Sequence, residues 1–195
     1  MSVDTVVAAV DPIVWWYLAR ASGLVAWAAL AASMAWGIAL ATRLLRPHDR
    51  PAWLADLHRY LGGLTLVLTG VHLGALVADS TVHFGLAELV VPFASSWRPG
   101  AVALGVVSLY ALVAVQLTSL LRPRLPRRWW QAVHRASYLA AFGVPLHAVT
   151  AGSDAAAPAM RVSAIALIMV SVVLTVARVI VRKTPRSTRS PLGST

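Results

Sequence analysis

The chain has 195 residues, of which 58% are hydrophobic and only 12% are charged. These values lie far from the balance of a soluble domain, and they predict an integral membrane protein that contacts the lipid bilayer. The chain contains no cysteine, which excludes disulfides, iron–sulfur clusters and thiolate-bound metal centres.

Five apolar stretches are long enough to cross a hydrocarbon core of about 30 Å. We therefore predict an all-α bundle of five transmembrane helices in one domain, residues 13–182. The segment 1–12 has no basic residues and is expected to stay attached rather than act as a cleaved signal, and 183–195 is a basic tail that we expect to be disordered. The stretches are 13–41, 57–78, 100–121, 131–151 and 160–181.

The formal net charge of +10 is explained by the distribution of basic residues. They concentrate between the first and second stretches, between the third and fourth, and in the tail. By the positive-inside rule, this distribution places the N-terminus outside and the C-terminus inside a cell membrane. We therefore expect no nucleic-acid partner. The residues are Arg43, Arg46, Arg50, Arg122, Arg124, Arg127, Arg128, Arg182, Lys183, Arg186 and Arg189.

Two pairs of histidines lie inside apolar stretches, His58 with His72 and His134 with His147. An imidazole in a lipid-buried helix is costly and usually has a partner or a metal. In the predicted topology both stretches run from inside to outside, so the first histidines of the two pairs share one depth and the second share another. The 14- and 13-residue spacings correspond to about 21 and 19.5 Å along a helix. The arrangement is typical of axial ligands for two haems, an inner pair His58/His134 and an outer pair His72/His147.

The helical angle fits one pair better than the other. On a regular helix His72 comes back to within about 40° of the face of His58, whereas His147 lies about 140° away from His134. Pro145 precedes His147 by two residues. We predict a kink or local overwinding at this proline that returns His147 to the shared face.

Small residues lie close to the first histidine pair. Gly62 follows His58 by about one turn, and Gly70 and Gly74 flank His72. Small residues also serve ordinary close packing of membrane helices. Beside paired histidines, we interpret these three glycines as a slot for a macrocycle.

Three arginines are candidates for contact with haem propionates. Arg20 lies on the order of 10 Å below the outer surface, where it either pairs with a propionate of the outer haem or extends to lipid headgroups. Arg59 and Arg135 each follow an inner ligand. They either meet inner propionates or are ordinary residues at the cytoplasmic edge.

The segments HRYLGGLTLVLTGVH and HRASYLAAFGVPLH resemble the ferric reductase-like transmembrane domain, in which ligand pairs show these spacings. That family includes ferric reductases, NADPH oxidases and the haem subunit of the bacterial methionine-sulfoxide reductase system. The segment LARASG, which contains Arg20, is similar to the arginine-bearing segment before the first ligand helix of the oxidases. The resemblance spans about residues 15–182. It implies two b haems, bound by His58 with His134 and by His72 with His147.

The resemblance also implies transmembrane electron transfer. Leu76 stands where the oxidases carry a further histidine, so superoxide production is not expected. The chain ends in RKTPRSTRSPLGST and contains no glycine-rich dinucleotide fingerprint. We therefore expect flavin only through a partner, with electrons arriving from a cytoplasmic flavoprotein reductase or from quinol and leaving to an extracytoplasmic protein or a ferric chelate. Such a chain is an electron-transfer subunit rather than a complete enzyme.

Other functions stay open at this point. Within electron transfer, a ferric-reductase-type protein competes with the haem subunit of a methionine-sulfoxide-reductase-type system. A metal-cation transporter would use the histidines along its path, but it would need acidic or sulfur ligands that the apolar stretches lack. In a membrane scaffold the histidines would only bond neighbouring helices.

The apolar segment 83–97 is too short to span the bilayer and is interrupted by Pro92. We expect it to lie at the outer interface, either docking an acceptor or covering the outer haem. His48 and His83 are interpreted as solvated surface residues.

Overall fold

A computed structural model describes residues 10–42, 51–80, 84–152 and 156–183, and its regular elements there are all helical. The sequence prediction of an all-α fold is confirmed for this part of the chain. His48 and His83 lie outside the described residues. The helices are α1 Pro12–Thr42, α2 Pro51–Ala78, α3 Leu86–Val90, α4 Pro99–Leu120, α5 Arg127–His134, α6 Ser137–Ala151 and α7 Pro158–Lys183, with a 3₁₀ turn at Arg122–Arg124.

Four of the described helices, α1, α2, α4 and α7, are long and apolar enough to cross a membrane. The protein is therefore a multi-pass membrane protein. Each of the four begins with a proline, namely Pro12, Pro51, Pro99 and Pro158. Proline suits the first position of a helix because its fixed φ is already helical and its missing N–H would have no partner there.

The predicted helix over 131–151 is wrong as a single element, because the segment forms α5 and α6. The two are joined at Arg135 and Ala136 by a tight turn rather than a chain reversal. There the N–H of Ala136 bonds the carbonyl of Val133 at 2.8 Å, and the N–H of Leu139 bonds that of Ala136 at 3.0 Å. These bonds reach back three residues, as in a 3₁₀ helix.

This turn changes the angle between His134 and His147. A 3₁₀ residue turns the chain by about 120° instead of 100°, so each one reduces the offset of His147 by about 20°. The sequence predicts overwinding at Pro145, whereas the tighter turn of the structure lies about ten residues before this proline. Pro145 itself is buried within α6, which is assigned as helix on both sides of it.

The bundle packs through small residues and exposes large apolar ones. α1 lies antiparallel against α2, and α4 against α6, while α7 contacts α1 and α6. The buried residues of these helices include Ala19, Ser22, Ala26, Ala140 and Gly143. Many valine and isoleucine side chains face outward, as Val67 and Ile165 do, whereas Ile38, Val102 and Val106 are buried. Small residues between helices and large apolar residues on the outside are expected where lipid is the solvent.

Candidate functional site

His58 and His134, the predicted inner pair, lie beside each other. Their ring centroids are 6.0 Å apart and the ring planes cross at 75°. His58 comes from α2, and His134 is the last residue of α5, so the break between α5 and α6 falls directly after this histidine. The ring of His134 is stacked on that of Trp130, with centroids 4.9 Å apart and planes at 25°.

His72 and His147, the predicted outer pair, line one cavity of about 300 Å³. This volume lies at the lower end of the range for small-molecule sites. Along α1 the cavity extends from Trp16 to Leu30, which corresponds to about 21 Å of helix. Its walls are mostly apolar, and Thr65 is fully buried among them.

Three of the four histidines are oriented by main-chain carbonyls of a neighbouring helix. Nδ1 of His58 lies 2.8 Å from the main-chain oxygen of Ser33. Nδ1 of His72 lies 2.7 Å from that of Ala19, and Nδ1 of His147 lies 2.8 Å from that of Ala101. A carbonyl only accepts hydrogen bonds, so Nδ1 carries the proton in each ring. In a neutral imidazole the lone pair is then on Nε2. This is the state in which a metal-binding histidine is held by its surroundings.

Three glycines that the sequence analysis missed lie directly against these rings. A Cβ added to Gly23 would stand 3.0 Å from His72, one on Gly37 would stand 3.0 Å from His58, and one on Gly105 would stand 2.8 Å from His147. A signal for two of them was present in the sequence. Gly23 and Gly37 are 14 residues apart, which is also the spacing of His58 and His72 on the helix packed against them.

Arg20 lines the cavity that His72 and His147 share. It is half-buried, and its guanidinium lies 4.2 Å from the centre of the Trp16 ring. A cation over an indole face gains a favourable electrostatic interaction. The structure therefore places Arg20 at the outer candidate site, and its role there stays a prediction.

Arg59 and Arg135 make contacts with their own helices. Arg59 forms an ion pair with Asp56 and its side chain is 75% exposed. Arg135 is exposed, and its Nε donates to the carbonyl of Gln131 at 3.2 Å. These contacts direct both side chains along the surface.

The three predicted slot glycines do not share one environment. A Cβ on Gly62 would stand 3.4 Å from the side-chain oxygen of Gln116, so this glycine lies at the contact between α2 and α4. Gly70 and Gly74 are exposed, with open space where a Cβ would be. The contacts to the histidines come from glycines on α1 and α4 instead.

The segment after α2 contributes to the wall of the same cavity. Phe84, Glu88, Leu89 and Trp97 line it, and Tyr110 of α4 donates a hydrogen bond to the carbonyl of Val90. Of the two roles predicted for this segment, the cavity-covering role agrees with these contacts.

Comparison with known families gives one match. The family model for the ferric reductase like transmembrane component matches residues 22–144, which is more than half of the chain. The chain belongs to this family. The matched range includes His58, His72 and His134, whereas Arg20 and His147 lie just outside it. No curated protein and no solved structure matches the chain.

Membership in this ferric reductase-like family indicates transmembrane electron transfer and a haem cofactor, so the fit of the residues to haem matters. An iron held between two imidazole nitrogens at about 2.0 Å would separate the ring centroids by about 6 Å. The 6.0 Å between His58 and His134 agrees with that value. No group of three or more metal-ligating side chains lies within the described residues, and axial coordination of haem needs only two. By donor type and by separation, His58 and His134 fit haem.

Proposed function

We propose that this ferric reductase-like protein carries electrons across the membrane through two b haems, one held by His58 and His134 and the other by His72 and His147. A haem held by two of these histidines would have no free position for substrate, so the chemistry it would supply is one-electron transfer. The protein is thus an electron-transfer subunit. The single observation that carries the proposal is that Nδ1 of three of these four histidines contacts a main-chain carbonyl, which leaves Nε2 for a metal.

The inner pair supports the proposal through its separation. The 6.0 Å between the ring centroids of His58 and His134 is close to the separation that two imidazoles bound to one metal ion would have. Ser33 contributes twice to His58, because its hydroxyl lies 3.1 Å from Nδ1 in addition to the carbonyl contact. Stacking on Trp130 orients the other ring.

The outer pair supports it through the cavity. His72 and His147 reach this space from α2 and α6, on helices that do not adjoin each other in the chain. The walls are mostly apolar, and the charged groups among them are the guanidinium of Arg20 and the carboxylates of Asp79 and Glu88. A guanidinium is suited to bind a propionate carboxylate.

The two pairs lie at different depths, because His58 and His72 are 14 residues apart on α2, or about 21 Å. With the predicted orientation, a haem held by the inner pair would receive electrons from a cytoplasmic flavoprotein reductase or from quinol. A haem held by the outer pair would deliver them to an extracytoplasmic protein or a ferric chelate. A negative interior favours outward movement of an electron by about 2.3 kcal/mol per 100 mV.

Transfer across a membrane is tested directly in liposomes. The purified, haem-loaded protein is reconstituted with ferricyanide trapped inside, and dithionite is added outside. We expect reduction of the trapped ferricyanide at a rate proportional to the protein content. The His72→Ala variant is the control, because it lacks one outer ligand while retaining the inner pair. Equal rates for the two proteins and for empty liposomes would contradict the proposal.

Mixing the reduced protein with a ferric chelate separates the two kinds of acceptor. Rapid reoxidation supports direct reduction of iron, as in a ferric-reductase-type protein. Absence of reoxidation supports a protein acceptor, as in a methionine-sulfoxide-reductase-type haem subunit.

A membrane scaffold is the second candidate, because the same bonds that fix the rings also join helices. His72 links α2 to α1, and His147 links α6 to α4. A scaffold needs no cofactor, so haem-free protein that is folded after expression with ample haem would support it and contradict electron transfer.

A further inference from the structure

We infer that Gly23, Gly37 and Gly105 are positioning residues, each of which lets one candidate haem ligand rest against a helix backbone and so fixes the plane of its ring. This inference rests on the proposed function. It concerns residues that the sequence pattern of the histidines does not identify, on helices that carry no candidate ligand.

The three contacts share one geometry. The carbonyl that accepts from the ring always stands four residues before the glycine, as Ala19 does before Gly23. The same relation holds for Ser33 with Gly37 and for Ala101 with Gly105. Each histidine therefore contacts one turn of a neighbouring helix through a carbonyl and a glycine.

Helix geometry explains the spacing. In an α-helix the carbonyl of one residue points towards the N–H of the residue four positions later, so both groups lie on one face. A ring that reaches this carbonyl from outside must pass the side chain of the later residue. Glycine has no Cβ, and it is the residue that permits such close approach to a backbone.

The distances show how little room remains. A Cβ would stand 3.0 Å from Nδ1 of His72, 3.0 Å from Cε1 of His58, and 2.8 Å from both Nδ1 and Cε1 of His147. Each of these contacts is closer than an ordinary van der Waals contact of about 3.5–4.0 Å. With alanine at any of the three positions the ring must move, and Gly105 leaves the least space.

The fourth histidine is held in a different way, which divides the effects between the two sites. His134 and His147 are 13 residues apart, so the position on α4 that would correspond to Gly105 for His134 is 13 residues later, at Thr118. This residue is not a glycine, and its hydroxyl donates to the carbonyl of Ala114 at 2.7 Å. His134 instead stacks on Trp130. The outer pair thus has two glycine contacts and the inner pair has one, at His58.

Alanine substitutions test the inference site by site. We expect Gly23→Ala and Gly105→Ala to alter only the outer haem, and Gly37→Ala to alter only the inner one. The readouts are the g values of each low-spin ferric haem by electron paramagnetic resonance, the midpoint potential of each haem, and haem per chain. The g values report the relative orientation of the two imidazole planes, which a merely structural role would not change at one site alone. Loss of a partner that orients a metal ligand typically lowers metal affinity by about 10–100-fold, and we expect Gly105→Ala to fall in that range.

Gly100→Ala is the matched control on α4. This glycine is exposed and has open space where a Cβ would be. Alanine is the better helix former, so this variant should fold at least as well as the parent and keep both haem signals. If Gly105→Ala fails to fold, Gly23→Ala tests the same pair from the other side, where the approach is less close.

The outcomes separate this inference from the proposed function. Two-haem parent protein with site-selective changes in the variants supports both. A two-haem parent whose three variants keep unchanged g values, potentials and haem content overturns the inference while electron transfer stands. Haem-free parent protein overturns the proposed function, and the positioning role with it.

Discussion

The Nδ1 atom of His72 donates a hydrogen bond to the main-chain oxygen of Ala19, 2.7 Å away on the neighbouring helix. The bond does two things at once. It joins α2 to α1 inside the membrane. It also holds the proton on Nδ1, so that Nε2 can accept a hydrogen bond or bind a metal. A bond that only held the helices together would not require the cavity that His72 lines.

Removal of single ligands should distinguish the two haem sites. We expect His72→Ala or His147→Ala to remove the outer haem, and His58→Ala or His134→Ala to remove the inner one, so that each variant keeps about one haem per chain. The reason is that a low-spin haem needs both axial nitrogens. Haem content and redox titration of each variant provide the measurement, and four variants with unchanged haem would refute the ligand assignment.

Trp130 should affect the inner site alone. Its ring is stacked on His134, its Nε1 donates to Ser119 Oγ at 3.4 Å, and the guanidinium of Arg122 lies 4.8 Å from its ring centre. Aromatic stacking contributes about 0.5–1.5 kcal/mol. We therefore expect Trp130→Ala to weaken inner haem binding by about 2- to 10-fold, measured as haem transfer to apomyoglobin.

Trp130→Phe is the control for that variant, because it keeps an aromatic ring against His134 while losing the indole N–H. It should bind the inner haem nearly as well as the parent. An equal loss in both variants would show that the hydrogen bond to Ser119, rather than stacking, holds the site.

Arg20 should raise the reduction potential of the outer haem. Reduction adds a negative charge, and a nearby guanidinium stabilises that charge. We expect Arg20→Leu to lower the outer midpoint potential by an amount equivalent to about 1–2 kcal/mol, with the inner potential unchanged. Potentiometric titration of both haems measures this, with Arg124→Leu in the exposed 3₁₀ turn as the charge control. A potential insensitive to Arg20 would favour the alternative, in which the side chain extends to headgroups.

The predicted orientation is open to cysteine labelling, since the chain has no cysteine of its own. Ala156→Cys lies before α7 and Arg124→Cys lies between α4 and α5, and both positions are exposed. We expect a membrane-impermeant maleimide to label Ala156→Cys in intact cells and Arg124→Cys only after permeabilisation. The opposite pattern would reverse the direction of electron flow proposed above.

Sequence and structure agree where a long apolar stretch decides the outcome. Composition alone identifies α1, α2, α4 and α7, because an apolar stretch of that length spans the hydrocarbon core. Inside the core a helix satisfies the hydrogen bonds of its own backbone. The pairing of His58 with His134 follows from the same topology. The break at Arg135 was not predictable, because no proline or glycine marks it. Its cause is a local shift from hydrogen bonds that span four residues to ones that span three.

The candidate site was only half visible in the sequence. Histidines stand out because imidazole is rare in lipid, whereas Gly23 and Gly37 are marked only by their 14-residue spacing and Gly105 has no such signal. Gly70 and Gly74 lie near His72 along the chain, yet a helix presents successive residues to different sides. Gly23 contacts the ring because α1 packs there.

The most direct test of the central claim is a dithionite-reduced minus oxidised visible spectrum of the detergent-purified protein, with haem quantified per chain as the pyridine haemochromogen. Two low-spin b haems per chain are the predicted result. Folded protein without haem, after expression with ample haem supply, would contradict the electron-transfer function.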